Sequence, residues 1–217
     1  MKKIGVLILL SLLAFAPTKM VKTKVGDGIT VTLPSTLAPM TEEDIVVRYP
    51  SVRAPLGAYT NQNRDTDFSV NISATQWVQA DIEIAAKFFK SGIYNLYDRV
   101  DIINSGIQTV NKKKFIFYEF ESRVNGNKMK ESERQPIFRY TYVQYYIEKG
   151  RTLVFAFNCP KDQRDQWQNS ARAIMKSIKL KWFFFDLKFK NSRFEDLLRH
   201  NQSIRDLTSE SLEFMFL

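Results

Sequence analysis

Residues 152–180, TLVFAFNCPKDQRDQWQNSARAIMKSIKL, restrict the fold more than any other stretch. An apolar run from Leu153 to Phe157 predicts a buried strand that stops at Asn158, Cys159 and Pro160. Trp167, Ala171, Ile174 and Ile178 then recur at helical spacing on one stripe. Pro160 lacks an amide donor and has its φ preset, so it is expected in the first helical turn with Cys159 or Asn158 as cap. A strand that leads into an amphipathic helix must bury the helix stripe on a sheet face, and the preceding residues are expected to build that sheet.

They contain enough strand signal to do so. Residues 19–24 read as a polar link, and Gly26, Asp27 and Gly28 as a turn before the alternating strand ITVTL at 29–33, which ends at Pro34. The Gly-x-Gly pair precedes a strand and meets no third glycine, so it is no dinucleotide fingerprint. Residues 34–55 read as irregular, with Glu42, Glu43 and Asp44 as an acidic first helical turn capped by Thr41 and not as metal ligands. A strand at 56–61 and another at 67–74, with Phe68, Val70 and Ile72 on one face, are joined through 62–65. Ile82, Ala85, Ala86, Phe89, Ile93 and Leu96 form the stripe of a first long helix capped by Asp81. A meander follows: 100–110 with a bulge around Asn104, Ser105 and Gly106; 113–124; a polar loop from Asn125 to Pro136; 138–147; and then 152–158. Phe138, Tyr140, Tyr142 and Tyr146 share a face that one of the helices is expected to cover.

The net charge of +9 raises the question of nucleic acid, but its distribution answers it. More than half lies in residues 1–24, which hold five lysines and no acid, and the remainder is nearly balanced. No nucleic-acid partner is expected. Lys2 and Lys3 precede an apolar run from Ile4 to Ala16, the layout of an export leader, so residues 1–16 are expected to be a signal peptide or an N-terminal anchor. Ala14 and Ala16 suit cleavage, whereas Pro17 disfavours it at that bond. Export to a periplasmic or other extracytoplasmic site is expected either way. Cys159 is the only cysteine, which excludes an internal disulfide and a lipid-bearing cysteine near the leader, and its apolar neighbours predict a buried, inert thiol.

Catalytic signatures are sparse. The one histidine, His200, lies near the C-terminus, so no histidine triad or His-rich metal site can form in the main domain, and no cofactor is expected. Glu119 and Glu121 lie two apart on one strand face and could act as an acid/base pair if buried; the expectation is that they are solvated. Antiparallel connection places the turns at 111–114 and 148–151 at one end of the sheet. That end gathers Lys112, Lys113, Lys114, Lys149 and Arg151, a candidate rim for an anionic membrane surface, a polyanion or an acidic partner.

The order of elements, from ITVTLP through DFSVNIS, the helix, the meander and the closing TLVFAFNCPKDQRDQWQNSARAIMKSIKL, resembles the PsbP/DcrB-like superfamily over residues 26–180. That superfamily includes photosystem II extrinsic subunits, DcrB-type envelope proteins and a Ran-binding import factor. The resemblance implies an α+β fold: an antiparallel sheet of about six strands with packed helices in an α/β/α sandwich. It implies a non-enzymatic binding or accessory role and carries over no site residue. Residues 181–217 are a C-terminal extension rich in aromatic residues. The expected function is an exported, non-catalytic envelope module with a protein or envelope partner, oligomeric state open. The alternatives are a peripheral membrane protein using the basic rim and a carboxylate-dependent hydrolase.

Overall fold

The computed structural model describes residues 19–50, 53–125, 135–148 and 150–181. The leader, the segment 126–134, Lys149 and the extension beyond Lys181 lie outside them.

The strand that opens the closing unit, β9 (Arg151–Pro160), is the middle strand of a seven-stranded sheet. Its apolar run is explained by that place, since a central strand is buried on both faces. The other six strands are β3 (Ala38–Pro39), β4 (Gly57–Thr60), β5 (Asp67–Ile72), β6 (Arg99–Val110), β7 (Lys113–Val124) and β8 (Ile137–Glu148). The order is β3-β4-β5-β9-β8-β7-β6, with every pairing antiparallel. A second sheet of order β1-β2-β10 is built from β1 (Met20–Gly26), β2 (Ile29–Pro34) and β10 (Lys179–Leu180). Among the described residues three α-helices join these sheets: α1 (Glu42–Arg48), α2 (Ile82–Leu96) and α3 (Arg164–Ser177). The α+β class and the antiparallel sandwich follow from this layout.

Alternation along β7 shows how the two faces are dressed. Ile116, Tyr118 and Phe120 meet Ile82, Ala85, Phe89 and Ile93 of α2, together with Val143 and Ile147 of β8. Phe89 stacks on Tyr145 with ring centroids 4.0 Å apart, and the Tyr118 hydroxyl donates to the carbonyl of Ala86. Each of the large apolar side chains buried here stabilises the fold by about 2 kcal/mol. On the opposite face, Phe115, Phe117, Tyr140, Tyr142, Phe155 and Phe157 lie beneath Trp167, Ala171, Ile174 and Met175 of α3 and Val25, Ile29, Val31 and Leu33 of the small sheet. The tyrosine face is thus covered by the second long helix, with Phe138 left 45% exposed beyond its reach.

The small sheet sits close to the large one at Gly57, where a Cβ would come within 2.4 Å of the Val25 carbonyl oxygen. Only glycine lets the two backbones approach so closely.

Several expectations are corrected. Residues 19–24 are not a link: Met20 to Lys24 pair in register with β2. Pro160 is not in the first turn of the helix. It ends β9, a 3-10 turn spans Lys161–Gln163, and α3 starts at Arg164. A proline in the extended region fits both positions, and the short turn absorbs the change of direction. Asp81 makes no side-chain cap, because a 3-10 turn at Gln79–Asp81 precedes α2. Leu96 falls off the α2 stripe and is 73% exposed. The β6 bulge lies between Ile102 and Asn104, just ahead of the predicted place. Thr41 does cap α1, accepting a hydrogen bond from the Asp44 amide. Cys159 is fully buried, and burial pushes its thiol up to about 12.

Candidate functional site

The basic rim forms at one end of the large sheet. Val110 pairs with Lys113 across a two-residue turn, Asn111-Lys112, and both turn residues adopt left-handed φ angles of 48° and 67°. Glu148 pairs with Arg151 across a turn that contains Gly150. Because Ile116 lies opposite Tyr145, both turns point the same way. Lys112 and Lys114 are exposed. Lys113 folds back: its Nζ donates to the Tyr146 hydroxyl at 3.1 Å and sits 4.9 Å above that ring. Arg151 is held by Glu148, Nε to Oε2 at 2.7 Å. Lys149, the remaining predicted rim residue, lies outside the described residues.

Sequence reasoning missed the rim's second half. The Asn111 side-chain amide donates to the Ile178 carbonyl at 2.7 Å, which ties the turn to the end of α3. Exposed Lys176 and Lys179 flank that contact along the chain, at the end of the molecule that carries Lys112 and Lys114. The signal was available. A helix following β9 must run back along it, so its C-terminal lysines must come to the end at which β9 began.

Of the carboxylate pair, Glu119 is not solvated, contrary to expectation. Glu119 is 1% exposed and lies between the sheet and α3. Its Oε1 accepts from the Tyr140 hydroxyl at 2.9 Å and the Gln168 amide at 2.7 Å, and the Arg172 guanidinium reaches both oxygens at 3.0 and 3.1 Å. Burial first, and the Glu119 carboxylate second, raise the Tyr140 hydroxyl far above its ordinary range, so it stays a donor. Gln168 and Arg172 are one helical turn apart, which aims both at the same carboxylate. Glu121 is separately engaged, by Lys161 at 2.5 Å and Arg164 at 2.8 Å. It opens onto a groove of about 880 Å³ lined also by Phe138, Asp162 and Asp165, and Glu119 is not among the lining residues. The two carboxylates thus do not share a cleft in which a substrate would meet both.

A third cluster sits on the α2 side of β5, in the half of the sheet that α2 does not reach. Asp67 is 9% exposed, and its Oδ1 accepts from Asn158 at 3.0 Å while Arg48 of α1 stands 3.6 Å from Oδ2. Burial raises its pKa, opposed by the Asn158 hydrogen bond and by Arg139 and Arg48. Tyr49, hydrogen-bonded to buried Ser69, is pushed up to about 12, chiefly by burial. Among the described residues no group of histidine, cysteine and carboxylate side chains is placed to hold a metal ion, and no helix is long and apolar enough to cross a membrane.

With this geometry in hand, the fold is that of the PsbP-like proteins. Cyanobacterial PsbP (CyanoP) from Synechocystis sp. PCC 6803 superposes with a TM-score of 0.52 at 14% identity, covering 76% of this chain and 95% of that one. The Ran-binding protein Mog1p of Saccharomyces cerevisiae gives 0.47 at 13% identity over 75% of this chain and 96% of its own. LpqN, involved in cell envelope biogenesis of Mycobacterium tuberculosis, gives 0.47 at 12% identity over 77% and 93%. No family model and no curated protein sequence matches the chain.

Proposed function

We propose that this chain is an exported, non-catalytic accessory module that binds a partner in the cell envelope. The observation that carries the non-catalytic reading is Glu119: the buried carboxylate best placed for acid/base work has both oxygens taken by Tyr140, Gln168 and Arg172. It fastens α3 to the sheet. The basic, then apolar, residues 1–16 support export, and the PsbP-like fold is compatible with an accessory role. The test is a C-terminal fusion to alkaline phosphatase, which is active only outside the cytoplasm. An active fusion that is silenced by Leu9→Arg with Leu10→Arg is expected; activity absent from the intact fusion overturns export.

The rim supports a second reading, in which the partner is an anionic membrane surface. Lys112 occupies a left-handed position where glycine would be unstrained, so the lysine there favours something other than folding. Lys112→Gly is expected to stabilise the domain by about 1 kcal/mol while weakening binding to vesicles rich in phosphatidylglycerol. Co-sedimentation that survives Lys112→Glu with Lys114→Glu at low salt excludes the membrane reading.

A further inference from the structure

A second concavity, on the α3 side of the molecule, has no charged side chain among the described residues that line it. Its volume is about 320 Å³, and it is lined by Thr36, Asn61, Gln62, Asn63, Gln166, Trp167 and Ser170. Three elements meet there: the loop after β2, the β4–β5 hairpin turn and the first two turns of α3. In a chain whose residues are 25% charged, a wall of four amides, two hydroxyls and an indole calls for a reason.

Three charged neighbours are paired with other groups. Arg64 pairs with Asp44, and Asp65 accepts from Gln163 and Asn61. Arg164 bonds Glu121 and Asp165. Among the described residues that line the concavity, a ligand therefore meets donors and acceptors but no charged side chain. Part of the wall is fixed in advance. The Asn61 side chain accepts from the amides of Asp65 and Thr66 at 3.1 and 3.2 Å, which sets the hairpin. Gln163 then bonds Asp65 at 2.8 Å and locks the hairpin to the start of α3. Trp167 is held by the core, its ring 5.8 Å from that of Phe157, with 8% of the residue exposed at the wall.

We propose that this concavity binds a neutral saccharide unit. Sugar hydroxyls are at once donors and acceptors, and so are the amides and hydroxyls of the wall. The volume lies at the small end of ligand sites, enough for one or two sugar rings. An anion would find no cation among the described lining residues, and an apolar ligand would leave the amides unpaired. The proposal stands apart from the question of export.

The test follows the assigned Trp167 indole resonance of the full chain during titration with methyl glucoside, methyl galactoside, methyl mannoside, N-acetylglucosamine and diacetylchitobiose. Inorganic phosphate serves as the charged control. A saturable shift with at least one saccharide and none with phosphate is expected. Because Trp167 belongs to the core, the discriminating variants are the exposed Asn63→Ala and Gln166→Ala, each expected to weaken binding about three- to tenfold with an unchanged melting transition. No saccharide-dependent shift, an equal response to phosphate, or binding indifferent to both variants overturns the proposal.

Discussion

The two faces of the large sheet bury a carboxylate each, and they do so by different means. Under α3, Glu119 is set among aromatic rings and reached by a tyrosine, an amide and a guanidinium. Under α1, Asp67 has one close hydrogen bond, from Asn158, and an arginine at 3.6 Å from a helix that buries none of its own residues. A buried charge is tolerable when its partners are complete and costly when they are not. The α3 face is therefore a fastening, while the α1 side is a looser cover held by polar contacts. Ordered local stability should differ accordingly, with α1 opening before α3.

The largest expected effect is on the fastened face. Glu119→Ala leaves Tyr140, Gln168 and Arg172 without their common acceptor, and urea unfolding is expected to show a loss of about 3 kcal/mol. Arg172 is 41% exposed and can partly recover in water, so Glu119→Gln, which keeps an acceptor, should lose distinctly less. Equal stability of wild type and Glu119→Ala would break the comparison. Next comes the packing of the small sheet over the same face. Gly57→Ala drives a methyl into the Val25 backbone, and a loss of about 2 kcal/mol is expected.

The smallest effect is the pH response of the looser side. Asp67 has a raised pKa in the folded state, so its ionisation opposes folding above that value, and the penalty disappears as the pH falls toward the ordinary 3.8. Asp67→Asn retains an acceptor for Asn158. Relative to wild type it should be most favourable near neutral pH, with the difference closing on acidification. Asp65 acts in the opposite sense. Although burial opposes it, hydrogen bonds from Gln163, Asn61 and Thr66 lower its pKa, so its contribution is present at neutral pH and lost below its unfolded value. Denaturation midpoints across the acid range, compared for wild type and Asp67→Asn, separate the two.

Much of the architecture was readable because it is written in burial. The alternation in β5 and β7 and the stripes of α2 and α3 follow from which side chains leave water. β1 was missed for the same reason: Met20 to Lys24 are exposed or half-buried, so pairing with β2 leaves little apolar trace. Glu119 was misjudged by weighing its charge above its place. It shares a strand face with Phe115 and Phe117, both buried, and the covering helix carries Gln168 and Arg172 at matching spacing. The second half of the rim and the uncharged concavity depend on contacts between distant segments, such as Asn111 with Ile178 and Asp65 with Gln163. No local pattern encodes those.

The margins of the large sheet have a bearing on how this protein meets others. On one side it stops at β3, two residues long, where Pro39 has no N–H to offer. On the other it stops at β6, whose bulge at Ile102 to Asn104 breaks the straight ladder a newcomer would need. Neither border is a good template for a further strand. Growth of the sheet into chains or fibrils is thereby discouraged, and recognition is left to turns, helix ends and concavities.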